Sequence, residues 1–269
     1  MRILLTNDDG IDAPGIRAAH DELVRIGEVF TIAPLTVQSA TSHGVTFNEP
    51  LMIRDVAVSE AMEGVAVDGR PADCVKLAIT SIWPERRGGL PDLVVSGINA
   101  GTNVGIHVIY SGTVAAAIEA AFLGIPSIAL SLMIRRWKKT RFDVAARWAR
   151  EVVEMIIAAG PLEPHTVINV NLPVCEEDAP TPAVRVVPMN LAAMRDRYDR
   201  RVNPSGGVYY WCCGDGLDFH NRAEGSDVEA VFEGDIAVTP LRYDLTRHDA
   251  MEHWRQRLEA GARVEPERA

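Results

Sequence analysis

Arg2-Ile3-Leu4-Leu5-Thr6-Asn7-Asp8-Asp9-Gly10-Ile11-Asp12-Ala13-Pro14-Gly15-Ile16 runs from apolar segment to polar turn to helix start. Arg2–Thr6 reads as a buried strand, and Asn, Asp and Gly are residues that favour turns. Pro14 suits the first turn of a helix, and Ile16, Ala19, Leu23 and Ile26 then recur close to the helical period as far as Gly27. The alternation continues along the chain. Glu28–Pro34, Leu51–Val58 and Gly64–Val67 read as strands, and a helix from Pro71 runs through Cys74, Val75, Leu77, Ala78 and Ile82. Asp92–Ser96 is a strand, Thr113–Phe122 a helix and Ser127–Leu132 a strand. Phe142–Ala159 is an amphipathic helix and Val167–Val170 a strand. Strands that are continuous apolar runs, separated by helices, predict an α/β fold: a mostly parallel sheet with helices on both faces.

The pattern changes near Pro180. Asn203-Pro204-Ser205-Gly206-Gly207-Val208-Tyr209-Tyr210-Trp211 reads as a hairpin outside the main sheet, followed by a late strand at Ile236–Thr239 and a C-terminal helix at Asp249–Ala260. The expected organisation is a core over residues 1–180 and an extension over residues 181–269 that packs on the core.

Composition narrows the partners. The 269 residues carry 27 Lys+Arg against 37 Asp+Glu, a formal net charge of −10. Gripping polymeric nucleic acid needs clustered cations, so it is not expected as the main partner. A small phosphate held by backbone amides and a metal remains open. The cysteines Cys74, Cys175, Cys212 and Cys213 form no disulfide framework or zinc-ligand spacing, and the first apolar run is far short of a secretory segment of about 7–15 residues. A cytoplasmic location is expected. Val114–Ile134 is mostly apolar, but Glu119 and Gly124-Ile125-Pro126 interrupt it, so it reads as a helix end and a buried strand rather than a membrane span.

Sites in open parallel sheets form at the carboxyl ends of strands. Three such ends are polar here: Asn7-Asp8-Asp9-Gly10, Pro34-Leu35-Thr36-Val37-Gln38-Ser39, and Gly97-Ile98-Asn99-Ala100-Gly101-Thr102-Asn103-Val104-Gly105. Together they offer two carboxylates, a hydroxyl and an amide oxygen, hard donors that suit Mg²⁺, Mn²⁺ or Ca²⁺. Adjacent strand residues point to opposite faces, so Asp8 and Asp9 share an ion only if the backbone bends, as Gly10 permits. Taken alone, Asp8-Asp9-Gly10 reads more readily as a solvated turn, and it is the other two polar strand ends that move the balance toward a metal site. Ser111-Gly112-Thr113 opens an apolar helix, with Ser111 or Thr113 as cap. Its free amides form either an anion site or an ordinary capped start. The stretch lacks a P-loop lysine and a GxGxxG spacing. His43 and His107 lie in these loops as candidate substrate contacts. Arg195, Arg197, Arg200 and Arg201, interleaved with Asp196 and Asp199, read as a solvated or intersubunit face. The spacing of Asp244 and His248 suits an ion pair anchoring the tail.

Met1 through Ile16 resembles the opening of the SurE (survival protein E) nucleotidases. So do Val67 through Val75, Pro91 through Gly105, Tyr110-Ser111-Gly112-Thr113-Val114-Ala115-Ala116-Ala117, Gly124 through Ala129, Asn169-Val170-Asn171-Leu172-Pro173, and Thr239-Pro240-Leu241 with Asp244-Leu245-Thr246. The resemblance spans nearly the whole chain. It implies a Rossmann-like core with a C-terminal extension exchanged in a homodimer or homotetramer. It also implies a metal-dependent 5′-nucleotidase, a phosphoric monoester hydrolase acting on nucleoside 5′-monophosphates and often on 3′-monophosphates and short polyphosphate. The family's metal ligands fall on Asp8, Asp9, Ser39 and Asn99, which implies one Mg²⁺ or Mn²⁺ per subunit. Gly105-Ile106-His107 and the loop after Ser39 depart from the family's usual wording, which bears on substrate preference.

The mechanism expected from these residues is attack by a metal-activated water. Asp8 and Asp9 are ligands or base, and Asn103, Ser111, Gly112 and Thr113 bind the phosphoryl oxygens. One alternative makes Asp8 a covalent nucleophile. Another makes the chain a non-catalytic nucleotide-binding regulatory module.

Overall fold

The computed structural model describes residues 1–213 and 217–262. Its strands are β1 (Arg2–Thr6), β2 (Glu28–Pro34), β3 (Ile53–Ala57), β4 (Glu63–Val67), β5 (Leu93–Ala100), β6 (Ser127–Leu132), β7 (Val167–Leu172), β8 (Val184–Val186), β9 (Arg197–Val202), β10 (Val208–Cys213) and β11 (Ile236–Leu241). Its helices are α1 (Pro14–Leu23), α2 (Pro71–Leu77), α3 (Trp83–Arg87), α4 (His107–Tyr110), α5 (Gly112–Phe122), α6 (Phe142–Ala158), α7 (Asp227–Glu233) and α8 (His248–Ala262). A π-helical turn, Ala78–Ile82, joins α2 to α3.

Nine strands form one sheet in the order β3-β4-β2-β1-β5-β6-β7-β11-β8. Its pairings are parallel except β3 with β4 and β11 with β7. The strands at the centre are apolar on both faces because both faces are covered. Ile3 and Leu5 pack with Ile16 and Ala19 of α1 and with Val144, Trp148 and Val152 of α6. Leu4, between them in sequence, points the other way. It packs with Ile32, Val75 of α2, Trp83 of α3 and Ala116 and Ala120 of α5. Val114–Ile134 divides as expected, into α5, a break at Gly124 and β6. No helix among the described residues is long and apolar enough to cross a membrane.

The predicted hairpin is the separate two-stranded sheet β9–β10, closed by Asn203, whose Oδ1 accepts the amides of Ser205 and Gly207. The late strand is more deeply built in than its distance along the chain implies. β11 pairs with β7 and β8 pairs with β11, so the main sheet takes two strands from beyond residue 180. Residues 214–216 and 263–269 of the extension lie outside the described residues.

Two differences matter for the site. β5 runs on to Ala100, so the glycine-rich stretch begins as strand rather than loop. Against β6 its register steps from Ser96↔Ala129 to Asn99↔Ser131. One extra residue therefore stands in β5, a bulge, which re-aims the side chains that follow. Gly97 sits there with φ of +134°, and a Cβ on it would lie 2.2 Å from the Leu130 carbonyl oxygen. The short elements β8 and α7 have no counterpart in the sequence reading. For α7 a signal existed, the Ser-x-x-Glu spacing of a helix start: Ser226 caps the helix, its Oγ accepting the Glu229 amide, while Glu229 accepts the Gly225 amide just ahead of the cap.

Candidate active site

β1 ends in a tight turn that brings both aspartates to one side. Asn7 Nδ2 donates to the Gly10 carbonyl at 2.8 Å, and Gly10 takes φ of +94°, a conformation open to glycine. The next strand end is fastened to this turn, since the Gln38 amide donates to the Asp8 carbonyl at 2.7 Å. The third is fastened through Asp9, whose Oδ2 accepts the Ala100 amide at 2.8 Å. Asp8, Asp9, Ser39, Asn99, Asn103 and Ser111 thus share the wall of a cavity of about 330 Å³, with Tyr110 and His107 beside them.

Asp8 is almost fully buried, with 4% of its surface exposed. Its Oδ1 accepts the Thr113 hydroxyl and its Oδ2 the Thr113 amide at 3.1 Å. Burial raises its pKa, the Thr113 hydrogen bond opposes this, and the Asp9 charge adds to the rise, leaving it at about 6. Burial also lifts Asp9, against the Ala100 amide. No Lys or Arg lines the cavity. Two carboxylates held together without a cation to balance them form a site suited to a positive ion.

The donor set can be tested for the class of ion it would fit. Among the described residues, no group of three or more His, Cys, Asp or Glu side chains could hold a metal. A site here must therefore draw on hydroxyl and amide oxygens as well. Asn99 supplies one: its Nδ2 is committed to the Gly101 carbonyl at 2.8 Å, which leaves Oδ1 as the free donor. Two carboxylates, an amide oxygen and the Ser39 hydroxyl are hard ligands that fit Mg²⁺ or Mn²⁺.

The four residues expected to bind phosphate separate into two pairs. Asn103 and Ser111 are in the cavity wall. Ser111 is the cap of α5, its Oγ accepting the Val114 amide. Asn103 is clamped on three sides: its amide donates to Asn171 Oδ1, its Nδ2 to Ser131 Oγ, and its carbonyl accepts Asn169 Nδ2. Gly112 and Thr113 instead stand behind Asp8. Thr113 is fully buried and spends its hydroxyl and amide on that carboxylate, so they are not aimed at a phosphate. At Gly112 a Cβ would lie 2.9 Å from Asp8 Cβ, so its bareness is what lets Asp8 approach the helix start.

The two loop histidines also part. His107 lines the cavity, its Nε2 2.9 Å from Met194 Sδ. His43 turns to Glu119 of α5, Nε2 to Oε2 at 2.7 Å. Asp244 and His248 form the expected pair at 2.7 Å in an exposed setting, and His248 with Thr246 holds the Asp244 carboxyl well below its usual range. Arg197, Arg200 and Arg201 lie exposed on β9, and Arg195 pairs at long range with Asp218. The sequence reading missed the supporting layer: Asn169 and Asn171, one strand period apart on β7, and buried Asp227, which accepts the Gly105 and Asn190 amides. Polar residues alternating at the end of an otherwise apolar strand were the available signal.

Comparison with known proteins returns one family. Residues 3–196 match the family model described as Survival protein SurE. Curated proteins named 5′-nucleotidase SurE are similar over nearly their full length. That of Heliobacterium modesticaldum is 41% identical, covering 94% of this chain and 90% of its own. That of Rhodopirellula baltica is 43% identical, covering 93% and 96%. That of Symbiobacterium thermophilum is 44% identical, covering 94% and 97%. Among solved structures, the crystal structure of the SurE protein from Aquifex aeolicus superposes with a TM-score of 0.80 at 36% identity, covering 96% of this chain and 100% of that one.

Proposed function

Because the chain belongs to the SurE family, we propose that it is a 5′-nucleotidase, a metal-dependent phosphomonoesterase acting on nucleoside 5′-monophosphates. In this proposal 3′-monophosphates and short polyphosphate are further substrates. The observation that carries it is the single cavity shared by Asp8, Asp9, Ser39 and Asn99 from three strand ends, with Asn103 and Ser111 in its wall.

Asp8, Asp9, Ser39 and Asn99 are the oxygen donors that would hold one Mg²⁺ or Mn²⁺ per subunit. When bound, such an ion supplies charge against the phosphoryl oxygens and makes water a competent nucleophile at neutral pH. The chain's own groups do the positioning. Thr113 fixes the Asp8 carboxylate in one orientation and favours its ionised form. Asp9 is fixed through Oδ2, which leaves Oδ1 to hold the ion or to take a proton from water. Asn103 and Ser111 bind the phosphoryl oxygens from a wall already rigid, so little ordering is lost on binding.

Within the extension over residues 181–269, the β9–β10 hairpin and α8 are the parts we assign to assembly into a homodimer or homotetramer, supported by exposed Tyr210 and Trp211 on β10 and Trp254 on α8. The four free cysteines support a reducing, cytoplasmic setting.

The test is phosphate release from AMP, GMP and p-nitrophenyl phosphate with Mn²⁺, with Mg²⁺ and with EDTA. Metal-dependent release is expected. In Asp9→Asn turnover should be lost while circular dichroism is unchanged, because an Asn oxygen still accepts the Ala100 amide. No release from folded wild-type protein would favour a nucleotide-binding module instead.

A further inference from the structure

The loop that follows β2 carries Ser39 and has no regular structure through Thr46. Two of its residues, Ala40 at φ of 56° and Ser42 at φ of 53°, hold left-handed backbone without being glycine. Such conformations persist where surrounding contacts impose them. The contacts can be traced. The Ser42 amide donates to the Tyr110 carbonyl at 3.0 Å and its Oγ to the Ile109 carbonyl at 2.8 Å. Thr46 donates its amide and hydroxyl to Asp73. Between them His43 meets Glu119 at 2.7 Å.

Glu119 is the unusual member. It is a carboxylate on the alanine-rich helix α5, its side chain 5% exposed, with Lys76 Nζ at 3.1 Å on its other side. Burying a carboxylate is costly unless its partners need it there. Both partners are partly exposed, His43 at 37% and Lys76 at 45%, so water reaches either; what separates them is position, because Lys76 stands on α2. His43 is the partner that joins Glu119 to the Ser39 loop.

We infer that Glu119 is a positioning residue which, through His43, holds the Ser39 loop in its ion-binding arrangement. This rests on the proposed metal-dependent function. Neither residue lines the cavity wall, so neither is assigned contact with substrate or ion.

The experiment compares wild type with Glu119→Gln, His43→Gln, the double variant and Lys76→Met. Calorimetry measures Mn²⁺ binding, and hydrogen exchange of the peptide spanning residues 36–46 is followed in metal-free protein. Removing a group that orients a metal ligand costs about tenfold or more in affinity. That loss is expected in Glu119→Gln and in His43→Gln, with faster exchange of the loop. The double variant should be no worse than about twofold beyond either single, since both cut one link. At saturating Mn²⁺ kcat should return towards wild type. Lys76→Met should bind Mn²⁺ within about twofold of wild type. Wild-type affinity and exchange in the folded variants would overturn the inference, as would an equal loss in Lys76→Met, which would make charge balance on α5 the cause. A wild-type protein that binds no Mn²⁺ would remove the metal reading itself, and this inference with it.

Discussion

Thr113 gives both of its donors to one carboxylate, its hydroxyl to Asp8 Oδ1 and its amide to Asp8 Oδ2. The start of α5 is therefore occupied by the protein's own anion before any substrate arrives. Positive potential at a helix N-terminus stabilises a carboxylate that burial would otherwise keep protonated. In Thr113→Val the amide contact remains and the hydroxyl contact is lost. Mn²⁺ affinity should fall by about 10–100-fold, the usual penalty for removing a partner of a metal ligand. Thr113→Ser should restore most of it. Calorimetric titration of both variants checks this.

The Asp8 carboxyl titrates at about 6 in the folded metal-free protein, against an ordinary value of 3.8. A raised carboxyl pKa contributes stability that is complete below the unfolded value and lost as pH rises through the folded one. Metal-free wild type should therefore lose up to about 3 kcal/mol, relative to Asp8→Asn, between about pH 4 and about pH 7. Urea unfolding of both proteins in EDTA across that range measures the difference. Added Mn²⁺ should remove the loss in wild type alone. A parallel pair of pH curves in EDTA would show that Asp8 is not the group responsible.

Gly112→Ala places a Cβ 2.9 Å from Asp8 Cβ and 3.1 Å from Pro71 Cγ. Neither neighbour is a flexible chain end. The variant should be destabilised by about 1–3 kcal/mol, as overpacked cores are, and Asp8 should be displaced. Mn²⁺ affinity is expected to fall even where thermal unfolding shows a folded protein.

Asp244 and His248 are both exposed, so their pair adds little to the stability of one subunit. If it anchors the tail against a partner, Asp244→Ala should leave thermal unfolding unchanged and shift the oligomer distribution seen by light scattering. An unshifted distribution would reduce the pair to a local contact at the start of α8.

The fold was legible because its central strands are buried on both faces and therefore read as unbroken apolar runs. β2 and β6 agree with the sequence residue for residue. The strand-end rule brings Asp8, Asp9, Ser39 and Asn99 forward as neighbours from the sequence alone. What could not be read was whatever depends on pairing rather than pattern. The bulge in β5 exists only against β6, so alternation along the strand does not say which way Asn99 points. Thr113 looked like a phosphate ligand because capping residues and anion ligands are the same residue types. Only the third dimension shows that its anion is Asp8.

α5 touches the two halves of the site at two points, Thr113 against Asp8 and Glu119 against His43. A helix advances about 1.5 Å and turns about 100° for each residue. It therefore serves as a gauge rod of about 9 Å between the strand-end carboxylates and the anchor of the Ser39 loop. Substitutions on its surface leave that spacing alone, but a single inserted residue between the two points would swing Glu119 off its target. Length variation in the β9–β10 hairpin, which stands apart from the main sheet, should thus leave the site's ion binding unchanged, whereas in this stretch of α5 it should abolish it.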